Sequence, residues 1–168
     1  MNRRKFLKTG AATGALSFVS SPSWANAPIE QKHFSDDEIN AIRKRIVPIS
    51  AAEYKQRDAK AQALMAQNKL DVLLMEGGAS LNYFTGATWG RSERTFVCLL
   101  PQSGEHLFVA PRFEEGRAKQ QTGNAKLLTW QENESPFQLI AQALKEMNLS
   151  AAAMGIEETV RYFITQNL

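Results

Sequence analysis

The sequence has little of what metal-dependent and thiol enzymes use for chemistry. Its 168 residues contain one cysteine, Cys98, and two histidines, His33 and His106. A single cysteine excludes an intramolecular disulfide, and Cys98 stands in an apolar run, where a small buried core residue is the expected role. The histidines share no motif spacing with each other or with a carboxylate pair, so we expect no metal site within this chain.

The motifs of nucleophilic and phosphate-binding sites are also missing. The sequence contains no Gly-x-Ser-x-Gly elbow. The segment 77–80 (GGAS) follows an apolar run, but it has neither the Walker lysine nor the dinucleotide-binding spacing. An ordinary strand-to-helix turn is therefore the better interpretation. The acidic clusters at 36–38 and 114–115 fall in predicted first turns of helices, where acids favour the helix dipole.

Positive charge is concentrated at the amino terminus. The net charge is +3, but Arg3, Arg4, Lys5 and Lys8 lie in the first 27 residues, which contain no acid. Subtracting these four charges leaves a net charge of −1 for the rest of the chain. Because the body is nearly neutral, we expect neither nucleic acid nor an anionic membrane as its partner.

Residues 1–27 resemble a twin-arginine export signal. The arginine pair is followed by Phe-Leu-Lys and then by the weakly apolar stretch 9–19, which is shorter than the roughly 20 apolar residues that span a bilayer. Small residues favour cleavage after Ala25. An ordinary secretory signal or an uncleaved anchor is the alternative. The pattern predicts a periplasmic or otherwise exported protein without a stable membrane span.

The body of the chain predicts an α/β domain with a mixed sheet. Residues 28–49 are interpreted as a linker with a short helix, and residues 50–168 as the domain. Capping-box patterns at Ser35 and Ser50 predict two helix starts, and a turn at 101–105 predicts a hairpin that makes part of the sheet antiparallel. The expected strands are 70–75, 95–100, 106–110, 126–130 and 152–156, and the expected helices are 35–47, 50–67, 113–121, 136–147 and one from Thr159.

The segment between the first two strands is unusual for a connecting loop. It carries Tyr83, Phe84, Trp89, Arg91 and Arg94, which are residue types that recognise ligands or partner chains. Arg94 directly precedes a predicted strand, so its guanidinium is expected at the end of the sheet, where it suits bidentate capture of a carboxylate. The alternative is that the aromatic rings pack on the sheet edge and that Arg94 pairs with Glu93 or another nearby charge.

An ordered set of short motifs runs from Pro48 to the end of the chain. It consists of PISAAEYxxR (48–57), YFTG (83–86), Trp89, SER (92–94), Pro101, GE (104–105), PxFE (111–114) and Arg117. The set resembles the amino-terminal domain of the creatinase/prolidase superfamily, in the Xaa-Pro aminopeptidase and Xaa-Pro dipeptidase branch. The resemblance implies a small mixed-sheet α/β domain similar to the ribonuclease H fold.

The resemblance also implies a function that depends on a second domain. In this family a carboxy-terminal catalytic domain holds two divalent metals, usually Mn, Co or Zn, and cleaves the bond preceding proline. We therefore expect an exported Xaa-Pro peptidase, present here as a fragment or truncated product without its catalytic domain. This chain would then contain no catalytic residue and no cofactor, and proline-containing peptides would be the substrates of the complete enzyme.

Relatives also suggest what the amino-terminal domain itself does. It mediates subunit contacts and closes over the active site, which implies a homo-oligomer in which Arg94, Trp89 and Tyr83 contact substrate or a neighbouring subunit. Two other functions stay open at this point. One is a stand-alone binding or oligomerisation module without hydrolase activity, and the other is the amino-terminal half of a creatinase-like C–N hydrolase.

Overall fold

The computed structural model describes residues 33–168, in two units. The predicted export signal and its cleavage site lie outside these residues. The first unit ends at Val47 and contains helix α1 (Asp36–Arg43). Ser35 and Glu38 cap this helix through the predicted capping box. The helix ends at Arg43, well before the proline that was expected to stop it.

The second unit, Pro48–Leu168, is an α/β domain. Its strands are β1 (Val72–Glu76), β2 (Val97–Pro101), β3 (Leu107–Pro111), β4 (Lys126–Trp130) and β5 (Met154–Ile156). Its α-helices are α2 (Ala51–Asn68), α3 (Ala79–Thr85), α4 (Glu115–Thr122), α5 (Pro136–Glu146) and α6 (Tyr162–Thr165), and a short 3₁₀ helix (Arg112–Glu114) precedes α4.

The five strands form one mixed sheet in the order β4-β3-β2-β1-β5. Strand β2 is antiparallel to both of its neighbours, whereas the pairs β1/β5 and β3/β4 are parallel. This arrangement confirms the predicted mixed sheet. Because only β2 runs the other way, the carboxyl ends of β1, β3, β4 and β5 all lie at one edge of the sheet. We call it the carboxyl edge.

Helices cover both faces of the sheet, so the domain has three layers. Successive residues of a strand point to opposite faces, and Leu74 and Met75 accordingly belong to two different hydrophobic clusters. The cluster around Met75 includes Leu81 of α3, together with residues of α2 and α4. The cluster around Leu74 includes Ile140 of α5 and Ile164 of α6.

Two local predictions need comment. The strand-to-helix turn predicted at 77–80 is confirmed, because helix Ala79–Thr85 begins there with Leu81 fully buried, but this helix was missing from the expected helices. The start of the last helix was wrong. The last helix begins at Tyr162 rather than at Thr159. The Thr159 hydroxyl accepts a hydrogen bond from Arg91 at 2.9 Å, so it is engaged with the loop instead of capping a helix.

The turn that ends α3 requires a glycine, Gly86, and a substitution tests this requirement. Gly86 has a φ of +74°, and a Cβ at this position would lie 2.9 Å from the hydroxyl oxygen of Tyr54. We predict that Gly86→Ala lowers the free energy of unfolding by about 1–3 kcal/mol, because the side chain is strained and crowded. Gly116→Ala in α4 is the matched control, since open space surrounds that position. Urea unfolding of both variants checks this, and equal stability would contradict it.

Candidate functional site

The carboxyl edge contains a buried acid. Glu76, the last residue of β1, is only 1% exposed although it ends an otherwise apolar strand. A buried carboxylate needs a charged partner with good hydrogen-bond geometry to offset its desolvation. Arg161 provides this partner: its Nε donates to Glu76 Oε1 at 2.6 Å, and its backbone N–H donates to Oε2 at 3.3 Å.

The same arginine reaches the loop that connects α3 to β2. A terminal nitrogen of Arg161 donates to the backbone carbonyl of Ser92. Arg161 therefore joins the end of β1, the segment before α6 and the loop that carries Arg94. Since an arginine guanidinium is planar and always charged, it can hold several acceptors in a fixed geometry.

A second arginine, Arg91, also holds this loop. The Nε of Arg91 donates to the carbonyl of Gly77 at 2.8 Å, and its Nη2 donates to the Thr159 hydroxyl at 2.9 Å. Its Nε also lies 3.8 Å from Oε2 of Glu76. The loop is thus attached to the strand end and to the segment before α6 at two consecutive residues, 91 and 92.

Arg94 lies just beyond this attachment, three residues before β2 begins. Its Nη2 and Nε both donate to one carboxylate oxygen of Glu132, at 2.7 and 3.2 Å, and its Nη1 donates to Glu93. The guanidinium also lies over the ring of Phe113, with its carbon 4.8 Å from the ring centre. The residue is therefore at the sheet end, as the sequence predicted, and it is paired within the chain.

The partners of Arg94 are exposed carboxylates. The side chains of Glu93 and Glu132 are 75% and 67% exposed, and that of Arg94 is 36% exposed. The hydrogen bond that Arg94 donates to Glu132 raises the pKa of Arg94 above its ordinary value, so the guanidinium stays charged at every physiological pH. Exposed ion pairs of this kind contribute little to stability. Another carboxylate can therefore replace either partner at small cost.

Trp89 is in a different environment. It is 5% exposed, and its ring is stacked on Phe96 with the two ring centres 3.9 Å apart. The guanidinium carbon of Arg117 lies 4.1 Å from the centre of the Trp89 ring. Trp89 therefore packs into the core beneath the loop surface. Its expected contact with substrate or a neighbouring subunit stays a prediction.

Tyr83 projects from helix α3 and is 51% exposed. Its ring meets Phe84 edge-on, with 5.0 Å between the ring centres, and the guanidinium carbon of Arg57 lies 4.2 Å from the centre of the Tyr83 ring. Arg57 also donates to the Tyr83 carbonyl at 2.7 Å. The ring has an exposed face that a partner chain can contact, so its expected role also stays a prediction.

Within residues 33–168, no three His, Cys, Asp or Glu side chains converge in a way that could hold a metal ion. In the same part of the chain, no helix combines the length and the apolar character needed to cross a membrane. The carboxyl edge presents the charged guanidinium of Arg94 on a loop that is held through the buried carboxylate of Glu76.

Comparison with known proteins identifies the family. Residues 57–168 match the creatinase/prolidase N-terminal domain. The chain belongs to this family. An uncharacterized peptidase of Schizosaccharomyces pombe is 35% identical to this creatinase/prolidase N-terminal domain protein over 137 residues, which cover 73% of this chain and 29% of that protein. The chain therefore spans less than a third of the length of this curated relative.

Solved structures agree with this assignment. The dipeptidase PepE from Mycobacterium ulcerans superposes with a TM-score of 0.63 and 26% identity, covering 73% of this chain and 34% of that one. The N-terminal domain of a Xaa-Pro dipeptidase from Lactobacillus brevis superposes with a TM-score of 0.60 over 67% of this chain and 84% of that one. At 18% identity the second likeness shows the fold alone.

The sequence did not indicate the residues that hold the loop. Glu76 was the one signal available, because a carboxylate closes an apolar run that was otherwise predicted to be a buried strand. Arg161 is 85 residues away along the chain, and no local pattern connects the two. Arg91 was expected to be a recognition residue, and its role in holding the loop through Gly77 and Thr159 was not predicted.

We predict that Glu76→Gln destabilises the domain and loosens the loop. The neutral amide leaves Arg161, whose side chain is 28% exposed, without its counter-charge, so we expect a loss of about 1.5–3 kcal/mol. Glu93→Gln is the matched control, because that carboxylate is exposed and should change stability little. Urea unfolding measures the loss, and hydrogen exchange at the amides of 91–94 measures the loosening. Equal effects of the two variants would contradict the role of Glu76.

Proposed function

We propose that this chain is the amino-terminal domain of an exported Xaa-Pro peptidase and that its carboxyl edge recognises substrate or a neighbouring subunit. Membership of the creatinase/prolidase N-terminal domain family supports the proposal. So do the names of its relatives, which include a peptidase and a dipeptidase. In this proposal the hydrolysis is performed by a part of the enzyme outside these 168 residues, which binds the two divalent metals expected for the family.

The observation that carries the proposal is the state of Arg94. Its guanidinium is charged and held at the carboxyl edge, and its two carboxylate partners are largely exposed. A peptide carboxylate can displace Glu132 and form a bidentate pair in the same place. The loop that positions Arg94 is fixed through buried Glu76, so little conformational entropy is lost on binding.

The proposed export rests on the amino terminus. The paired arginines at positions 3 and 4, the following Phe-Leu-Lys and the weakly apolar stretch support passage by the twin-arginine route. We propose a periplasmic location on this ground. The exposed ring of Tyr83 and the exposed pair around Arg94 are the surfaces we assign to contacts between subunits of a homo-oligomer.

We predict that Arg94→Ala in the complete peptidase lowers kcat/KM about 10- to 100-fold for an Xaa-Pro dipeptide with a free carboxylate. The loss should appear mainly in KM, because a charged hydrogen bond to bound substrate is removed. For the corresponding Xaa-Pro amide, which lacks the carboxylate, kcat/KM should change little. Steady-state kinetics on the two substrates provides the measurement.

The control is Arg112→Ala, which removes an exposed arginine at the same edge. Arg112 pairs with Glu115 and donates to the Thr129 hydroxyl, so its loss should leave both kcat/KM values unchanged. Equal losses of the Arg94→Ala variant on acid and amide would contradict carboxylate capture. Unchanged kinetics with a smaller particle in light scattering would assign Arg94 to a subunit contact instead.

A further inference from the structure

A cavity of about 430 Å³ opens at the end of the sheet opposite to Arg94. It lies between α2, the β2–β3 turn and the segment that joins α4 to β4. The residues used below are Asp58 of α2, Phe84 of α3, His106 and Phe108 at the start of β3, and Thr122 at the end of α4. No part of the function proposed above uses this cavity, so it calls for a separate explanation.

Three residues that line the cavity each carry a buried polar atom that has no hydrogen bond. Among residues 33–168, three buried side-chain polar atoms lack a partner, and they are Asp58 Oδ1, His106 Nε2 and Thr122 Oγ1. All three belong to residues that line this one cavity. A buried polar atom without a hydrogen bond costs about 1–3 kcal/mol, so folded proteins rarely keep several together. Their shared position indicates that the cavity is built for a polar ligand.

The charges around these atoms show which sign the ligand carries. Asp58 Oδ1 lies 3.4 Å from His106 Nε2, and the two side chains are only 22% and 14% exposed. Burial lowers the pKa of His106, although Asp58 and Glu105 oppose this effect, which favours the neutral form of the imidazole. Burial also raises the pKa of Asp58. A neutral ring beside the Asp58 carboxylate does not compensate its negative charge. Lys55 and Glu105 also line the cavity, and their opposite charges offset each other.

The three atoms can all act as hydrogen-bond acceptors. A carboxylate oxygen and a hydroxyl oxygen accept, and Nε2 of a neutral imidazole accepts when the ring carries its proton on Nδ1. A primary ammonium group has three N–H donors and a positive charge, which matches three acceptors beside an uncompensated carboxylate. A divalent metal fits less well, because no three His, Cys, Asp or Glu side chains converge here or elsewhere in the described chain.

The remaining wall of the cavity suits an apolar body. Phe84 and Phe108 line it together with small alanine side chains. We propose that this cavity binds a small primary amine, with the ammonium group held by Asp58, His106 and Thr122 and the carbon skeleton against the two phenylalanines. Binding sites that combine an apolar wall with a few convergent polar atoms are typical for small ligands.

The test uses the full chain and the imidazole of His106 as the reporter. Butylammonium chloride is titrated at pH 7 while the imidazole C–H resonances of both histidines are followed by NMR. We expect saturable shifts at His106 and none at His33, which serves as the reference inside the same molecule. Butan-1-ol, which lacks the charge, and tetramethylammonium, which cannot donate hydrogen bonds, should produce no saturable shift.

A pair of variants locates the counter-ion. Asp58→Asn should weaken the binding of butylammonium at least about tenfold, because a charged hydrogen bond is lost. Asp36→Asn is the matched control, since Asp36 is exposed at the start of α1, and it should bind with unchanged affinity. Circular dichroism establishes that both variants are folded. If Asp58→Asn does not fold, the comparison of the three probes on the unmodified chain still decides.

Three results would overturn the inference. They are no saturable shift at His106 with butylammonium, an equal response to butan-1-ol or tetramethylammonium, and unchanged affinity in folded Asp58→Asn. A response only to butan-1-ol would identify a site for neutral ligands. Because the readout is binding to this chain, the outcome does not depend on whether the complete protein cleaves Xaa-Pro bonds.

Discussion

The ion pair between buried Glu76 and Arg161 determines where the proposed recognition surface of this domain lies. The carboxylate is at the end of the central strand β1, and the arginine comes from the segment before α6. By also holding the carbonyl of Ser92, Arg161 positions the loop whose next exposed cation is Arg94. A buried pair of this kind adds little net stability compared with apolar packing. What it provides here is a fixed position for the long loop at this edge of the sheet, which Arg161 holds through the Ser92 carbonyl.

Both ends of the sheet have polar groups, but their chemistry differs. At the carboxyl edge, the charges are exposed and paired with partners that solvent and ligands can replace. At the opposite end, Asp58 and His106 are mostly buried, and their facing atoms have no hydrogen bond. The low effective dielectric around buried groups makes each unpaired atom costly there. The first arrangement suits a contact that forms and breaks, and the second suits a ligand that is enclosed.

Much of the fold could be predicted because its signals are local. Strand β4 has the predicted bounds, 126–130. The helix cap at Ser35 and the start of α5 at Pro136 were also predicted, because each depends only on neighbouring residues. Helix α3 was indicated only by the strand-to-helix turn at 77–80, since its formation depends on burial of Leu81 against the sheet and not on local propensity. For the same reason the position of Arg94 could be predicted, but the residues that hold its loop could not. The position of Arg94 follows from the strand that comes after it, whereas Glu76 and Arg161 meet only after the whole domain has folded.

The short strand β5 has a consequence for the side of β1 that faces away from β2. It covers β1 through only three residue pairs. Without β5, β1 would be an edge strand of nearly continuous apolar residues, the type of surface that promotes association between chains. A change that displaces β5 would therefore favour aggregation of the domain.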